Sequence, residues 1–192
     1  MPHTKLINLL KKYGTIFEAE KQNIEKYFIP INLKKNQILI EKDLPCNKLF
    51  FINNGLLRAF YTNEKGNEVT RMFAWENRFI TNTGSFKNLS ANHETIESVK
   101  DSNVLMIQKK DFDNLMKSSA NIKCIYADIL EEYIAINIRR FEVINTLELC
   151  EKFQYLKQEF PNLVKDLNDR LLASFIGISR VHFVNNKHLL YN

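Results

Sequence analysis

The sequence predicts an α+β protein: a small antiparallel β-barrel or double-sheet roll, one long helix, and a C-terminal helix-turn-helix. Three observations carry this prediction. Between Ile31 and Gln108, short apolar runs recur with turn residues between them. Over 119–146 a stretch without Gly or Pro is apolar at helical spacing. Beyond it, two short helical patterns flank Gly177-Ile178-Ser179. The 192 residues, 45% hydrophobic and 26% charged, suit one medium domain or two small ones and exclude a disordered chain. No apolar run approaches the roughly 20 residues a membrane-spanning helix needs, so no membrane partner is expected. No small-residue cleavage site follows the apolar stretch near Met1, and the expected compartment is the cytoplasm.

In chain order, residues 4–28 place Leu6, Leu9, Leu10, Tyr13, Phe17, Ile24 and Phe28 near helical spacing, for one or two amphipathic helices ended by Pro30. Expected strands begin at Gln37, Lys48, Gly55, Glu68, Thr95 and Ser102, and Asn53-Asn54-Gly55 supplies the positive φ of a tight hairpin turn. No helical segment of adequate length separates the strands, which disfavours a βαβ enzyme. Asp111–Met116 reads as a short helix. In the long helix, Ile122, Ile129, Ile136 and Val143 fall seven apart. Ile125, Leu130, Ile134, Ile138, Phe141 and Ile144 make a second side apolar. One side can pack on its own domain, leaving the seven-residue stripe for a second subunit. A helix over 147–160 stops at Pro161. Asn168 is placed to cap the first helix of the final pair and Ser179 the second, which runs from Arg180 to Leu190, with Gly177 making the left-handed turn. Expected boundaries are 1–118 for the helices and roll, 119–146 for the dimerisation helix, and 147–192 for the helix-turn-helix.

Cys46, Cys124 and Cys150 are odd in number and far apart, which argues against a disulfide framework. Cys124 and Cys150 fall in apolar helical patterns, where a free thiol behaves as a small buried hydrophobe. His3, His93, His182 and His188 are scattered, and no metal site or cofactor is expected. A β-barrel enzyme of cupin type would need a His/Glu cluster on the strands, where only His93 lies, so no enzymatic activity is expected.

Two segments carry a resemblance. Leu49-Phe-Phe-Ile-Asn-Asn-Gly-Leu-Leu-Arg-Ala-Phe-Tyr, with Gly66-Asn-Glu-Val-Thr, is similar to the strand–glycine–strand–hairpin pattern of the Crp/Fnr bacterial transcription regulators. Leu172-Ala-Ser-Phe-Ile-Gly-Ile-Ser-Arg resembles that family's entry to the recognition helix. The length is similar to that of a compact branch common in Bacteroidetes-type bacteria. The resemblance implies a cyclic-nucleotide-binding-like roll, a dimer helix and a DNA-binding helix-turn-helix. In the best-known members a Gly-Glu pair holds the ribose of cyclic AMP, and an Arg before a small hydroxyl residue holds its phosphate. Here those positions fall on Thr81 and Asn82 and near Asn92 or His93, with no arginine between Arg78 and Arg139. A buried cyclic phosphate needs a bidentate cation to offset its desolvation, so a response to cyclic AMP is not expected. The cysteine cluster of the iron–sulfur branch is absent from the sequence.

For DNA, the resemblance implies Ser179, Arg180, His182, Asn185 and Lys187 as contact residues. The hydroxyl caps the helix, Arg180 reaches guanine or backbone, Asn185 can read adenine and Lys187 can meet phosphate. Val181 and Asn185 occupy positions the family commonly fills with Glu and Arg, and Asn186 one usually filled with Ile. Charge adds little: residues 148–192 hold six cations and five anions, +1 of the chain's +5. The expected function is an effector-responsive homodimeric transcription regulator with DNA, a second copy of itself and an unidentified small molecule as partners. The alternative is a ligand-binding or protein-interaction module of the same fold that has lost DNA binding.

Overall fold

The computed structural model describes residues 1–191 and divides into two compact units. Met1–Tyr61 with Arg71–Leu130 form the first; Thr62–Thr70 and the residues from Glu131 form the second. Helices α1 (Thr4–Leu10) and α2 (Glu18–Tyr27) precede strands β1 (Ile29–Leu33), β2 (Ile38–Ile40), β3 (Lys48–Asn54), β4 (Leu57–Thr62), β5 (Glu68–Ala74) and β6 (Phe79–Ile80). Helix α3 (Thr83–Asn88) leads to β7 (Thr95–Ser98), β8 (Ser102–Gln108), α4 (Lys109–Ser118) and α5 (Ala120–Thr146). The strands form two four-stranded sheets in the orders β1-β8-β3-β6 and β2-β7-β4-β5, the double-sheet roll that the strand spacing predicts.

Pairing is antiparallel, with Lys48 opposite Gln108 and Ile52 opposite Val104 on β3–β8, and Leu57 opposite Ser98 on β4–β7. Pro30 sits in β1, at a sheet edge where its missing N–H is tolerated. Leu49-Phe50-Phe51-Ile52 is buried without alternation because β3 is central in its sheet, with α1 against it. Phe50, Phe51, Ile52, Leu57, Ile80, Ile96 and Leu105 are among the fully buried residues of the roll. Asn53-Asn54-Gly55 turns out not to close a hairpin: it carries the chain from β3 in one sheet to β4 in the other. Gly55 has φ +122°, and a Cβ there would lie 2.0 Å from the Ser102 hydroxyl, so close packing as well as backbone conformation requires glycine.

Below the roll, Phe86, Phe112 and Tyr126 stack edge to face, with centroids 5.2 and 4.9 Å apart. Glu20, the third residue of α2, accepts from Phe17 N at 2.9 Å, from the Ser119 hydroxyl at 2.5 Å and from Asn121 Nδ2 at 3.0 Å. One carboxylate thereby caps α2 and ties it to the start of α5.

The long helix corrects the assignment of its two faces. Ile122, Ile129 and Val143, three of the four residues of the seven-residue stripe, are buried within the chain, whereas Ile134, Ile138 and Phe141 on the other side are exposed. Ile138 is 64% and Phe141 70% exposed. The β-branched stripe packs inward, and the apolar row left exposed is the i, i+4, i+7 row 134–138–141. Cys124 and Cys150 are exposed rather than buried as their apolar patterns predict, while Cys46, in the roll, is buried. Cys124 lies between the inward-facing Ile122 and Ile125, on the opposite side of the helix from the residues that pack.

In the second unit, α6 (Leu149–Glu159), α7 (Pro161–Asp166), α8 (Asp169–Phe175) and α9 (Arg180–Asn185) precede a 3₁₀ turn over Lys187–Leu190. The chain continuation after Arg180 is therefore shorter as an α-helix than the pattern to Leu190 predicts. Asn186, at φ −115°, ψ 11°, leaves helical geometry, and its Nδ2 donates back to His182 O at 2.9 Å. Phe153, Leu156, Leu163, Leu172, Phe175 and Phe183 form the core, with Phe153 and Phe183 rings 5.0 Å apart. The tip of the β4–β5 hairpin belongs to this unit. Thr70 N donates to Ser174 Oγ at 2.8 Å, Ser174 Oγ donates to Glu68 O at 3.0 Å, and Arg140 Nη2 donates to Thr70 O at 2.7 Å and Phe175 O at 2.8 Å.

Among the described residues, no helix is long and apolar enough to cross a membrane, and no group of three or more His, Cys, Asp or Glu side chains is placed to hold a metal.

Candidate nucleic-acid interface and effector pocket

The helix-turn-helix is built as its caps predict. Asn168 accepts from Leu171 N at 3.1 Å to start α8, and Ser179 accepts from His182 N at 3.1 Å to start α9. Between them Gly177 adopts φ +73°, and a Cβ there would lie 2.9 Å from Ile144 Cγ2. Ile178 N donates to Ala173 O at 3.0 Å, and Ala173 is buried where the two helices approach. Phe183 is the inward anchor of α9. The outward face presents Arg180, Val181, His182, Val184 and Asn185, all exposed. That face offers a guanidinium, a carboxamide and two branched apolar groups to a surface, the set that reads guanine, adenine and the thymine methyl in a major groove.

Ser179 spends its oxygen on the cap. Lys187 lies beyond α9 in the 3₁₀ turn, and its Nζ donates to Asp169 Oδ1 at 2.7 Å. That bond raises the ammonium pKa above the usual lysine value. A phosphate at Lys187 would compete with Asp169. Of the expected contact residues, Arg180, His182 and Asn185 are all exposed on α9, and Lys187 is half-buried beyond it.

In the roll, the segment expected to hold an effector is filled with its own polar contacts. Thr81 Oγ1 donates to Lys48 O at 2.8 Å and lies 3.1 Å from Cys46 Sγ. Asn92 Nδ2 donates to Glu41 O at 2.9 Å and Leu44 O at 2.6 Å, while its Oδ1 accepts from Glu94 N at 2.8 Å. His93 and Lys87 are exposed at the surface, so neither supplies an inward cation. The inward cation is one that spacing did not single out: Arg71 on β5 forms a bidentate ion pair with Glu94. Glu94 is 1% exposed. Asn82 Nδ2 donates to the same carboxylate at 2.9 Å, while its Oδ1 caps α3 by accepting from Ser85 N. Farther along the roll, Arg58 Nη1 pairs with Glu97 Oε1 at 3.2 Å. The apolar cavity beneath the roll, lined by Leu6, Leu10, Phe28, Phe112, Tyr126 and Ile129 among others, has a volume of about 20 Å³. That is room for about one water molecule, too little for an effector.

Comparison with known proteins places these features. Residues 30–119 match the cyclic nucleotide-binding domain family. Among curated protein sequences none matches the chain. Three solved structures show the fold. A protein assigned to the Crp/Fnr transcriptional regulators from Eubacterium rectale is 19% identical, with TM-score 0.71 over 88% of this chain and 81% of that one. The c-di-GMP-responsive global regulator CLP of Xanthomonas campestris is 12% identical, with TM-score 0.69 over 91% and 90%. A Crp/Fnr-family transcriptional regulator of Thermus thermophilus is 15% identical, with TM-score 0.65 over 81% and 82%. The resemblance carried by the glycine-hairpin and Gly177–Arg180 segments thus holds at the level of fold: residues 30–119 match the cyclic nucleotide-binding domain family, and the chain has the fold of the Crp/Fnr regulators.

Proposed function

We propose that the chain is a homodimeric, DNA-binding transcription regulator whose roll responds to an effector other than cyclic AMP. The observation that carries the reading is α9: a capped helix held by buried Phe183, with Arg180, His182 and Asn185 on its open face. The exposed row Ile134, Ile138 and Phe141 supports a second copy as the dimer partner, since packing it would remove the largest apolar side chains that α5 leaves open. Two recognition helices would then meet half-sites about one DNA turn, ~34 Å, apart. Exclusion of cyclic AMP is supported by the absence of an arginine in the segment from Phe79 to Ser98 and by the commitment of Arg71 to Glu94.

The test is a mobility-shift selection on genomic fragments at low salt. Arg180→Ala is expected to weaken binding to every retained fragment. Asn185→Ala is expected to cost about 1–3 kcal/mol at one base position and to relax specificity there. Retention of no fragment by the wild type, with or without cell extract, would overturn the reading. A second reading, a ligand-binding or protein-interaction module without DNA binding, is favoured by one observation: Lys187 is tied to Asp169, leaving Arg180 as the cation of the α9 face.

A further inference from the structure

We propose that the β-roll contains an oxyanion site, formed by Arg71 and Asn82, whose resident ligand is the protein's own Glu94 carboxylate. An anionic effector must displace Glu94 to bind. The proposal rests on the reading of the roll as a ligand-responsive domain and says what the ligand competes with.

Both Glu94 oxygens are occupied. Oε1 accepts from Arg71 Nε, and Oε2 accepts from Arg71 Nη2 at 3.0 Å and Asn82 Nδ2 at 2.9 Å. A planar guanidinium gripping two oxygens, with a neutral amide as third donor, is the constellation that proteins use for a free carboxylate or phosphate. The donors are pre-set. Arg71 Nη2 also reaches Thr81 O at 3.3 Å, and Asn82 is oriented by capping α3 through its other amide atom. The carboxylate is delivered by backbone that is pinned in turn, since Glu94 N donates to Asn92 and Asn92 donates to two carbonyls of the 41–44 loop.

Access is asymmetric. Glu94 is sealed, while the Arg71 side chain remains 25% exposed, so a dissolved anion can reach the cation without first unfolding the roll. Stability alone is a poor reason for the pair, because well-packed apolar residues commonly replace a buried ion pair without loss. A site that holds its cation ready and its own anion in place is a reason of another kind.

The experiment compares full-length wild type, Glu94→Ala, Arg71→Met/Glu94→Ala and the size-conserving Glu94→Gln. Inorganic phosphate and cyclic AMP are the probes, read by titration calorimetry and thermal shift. The expected result is that phosphate binds Glu94→Ala about tenfold or more tightly than wild type, the equivalent of one charge-assisted contact. The gain is expected to disappear in the double variant. Glu94→Gln keeps the side-chain volume, and phosphate is expected to raise its melting temperature more than that of wild type. Equal phosphate response in wild type and both Glu94 variants would overturn the proposal, as would a gain that persists without Arg71. Cyclic AMP binding wild type as tightly as Glu94→Ala would also overturn it, because no internal competitor would then exist. Absence of DNA retention by every one of these proteins would remove the regulator reading and leave the anion site standing.

Discussion

Single side chains in this protein join elements that are distant in sequence, and Glu20 is the clearest case. Burial, the largest single influence on its carboxyl, favours the neutral form. The hydrogen bonds from Ser119, Phe17 N and Asn121 together outweigh it, leaving the pKa below the usual glutamate value. A carboxylate with a lowered folded-state pKa stabilises the fold above its unfolded pKa, and that contribution is lost as pH falls through the folded value. Melting temperatures measured across the acid range are therefore expected to fall more steeply for wild type than for Glu20→Gln. Parallel curves would show that Glu20 has no such role. Gly177 makes a second residue-scale prediction. With φ +73° and Ile144 2.9 Å from a Cβ position, Gly177→Ala is expected to lose about 1–3 kcal/mol in chemical denaturation. At this scale the sequence was legible where chemistry is local. Asn168 and Ser179 cap the residues three places on, and the positive φ of Gly177 belongs to its own turn, so cap and turn rules find all three, although the approach of Ile144 to Gly177 is not local. Arg71 and Glu94, 23 residues apart, meet only because strand β5 and the segment before β7 close over the same interior. Neither residue carries a spacing signal for that.

Length alone did not decide which elements were legible: the short β2 and β7 are expected from their apolar runs and flanking turns, whereas five-residue β1, which contains Pro30, is not. The strands β3, β4, β5 and β8 have at least six residues each and were anticipated. β6 has two residues and α3 six, too short for a period to declare itself. The long helix was found, but its two apolar rows could not be assigned to core and partner by spacing, since both repeat at helical intervals. Packing decided it: β-branched Ile122, Ile129 and Val143 fill the interior, and the longer Phe141 stays outside. This makes opposite predictions for the two rows. Ile129→Ala is expected to destabilise the monomer by about 2–5 kcal/mol, the range for truncating a buried isoleucine. Ile138→Glu is expected to leave the melting temperature of the isolated subunit nearly unchanged while converting a dimer to a monomer in light scattering. Its DNA affinity is expected to drop with the dimer, because the two recognition helices are then no longer held at one effective concentration. A dimer that survives Ile138→Glu would place the partner surface elsewhere.

Over the whole molecule, charge bears on how DNA could be held. Of the net +5, residues 148–192 contribute +1, and the remaining +4 is spread over the first 147 residues. Within the helix-turn-helix, Lys187 is bonded to Asp169, and Arg170 lies 3.6 Å from Glu68. Arg180, at the first turn of α9, is therefore the most available cation for a phosphate or base edge, with the Lys187 ammonium joining only by exchanging Asp169 for phosphate. A dimer using both from each protomer would neutralise about four phosphates. Counterion release then gives a slope of log K against log salt of about −3.6, roughly a hundredfold loss of affinity between 50 and 200 mM salt. Fluorescence anisotropy on a selected operator measures that slope directly. A value near −2 would mean that Asp169 keeps Lys187, and Lys187→Ala would then leave the slope unchanged. A value of −7 or steeper would mean that basic residues outside the helix-turn-helix lie against the DNA. The shallow slope expected here also shifts the burden of specificity onto uncharged contacts. Val181 and Val184 are exposed beside Asn185, so operators carrying thymine methyl groups and adenine at adjacent positions should be selected over G·C-rich ones.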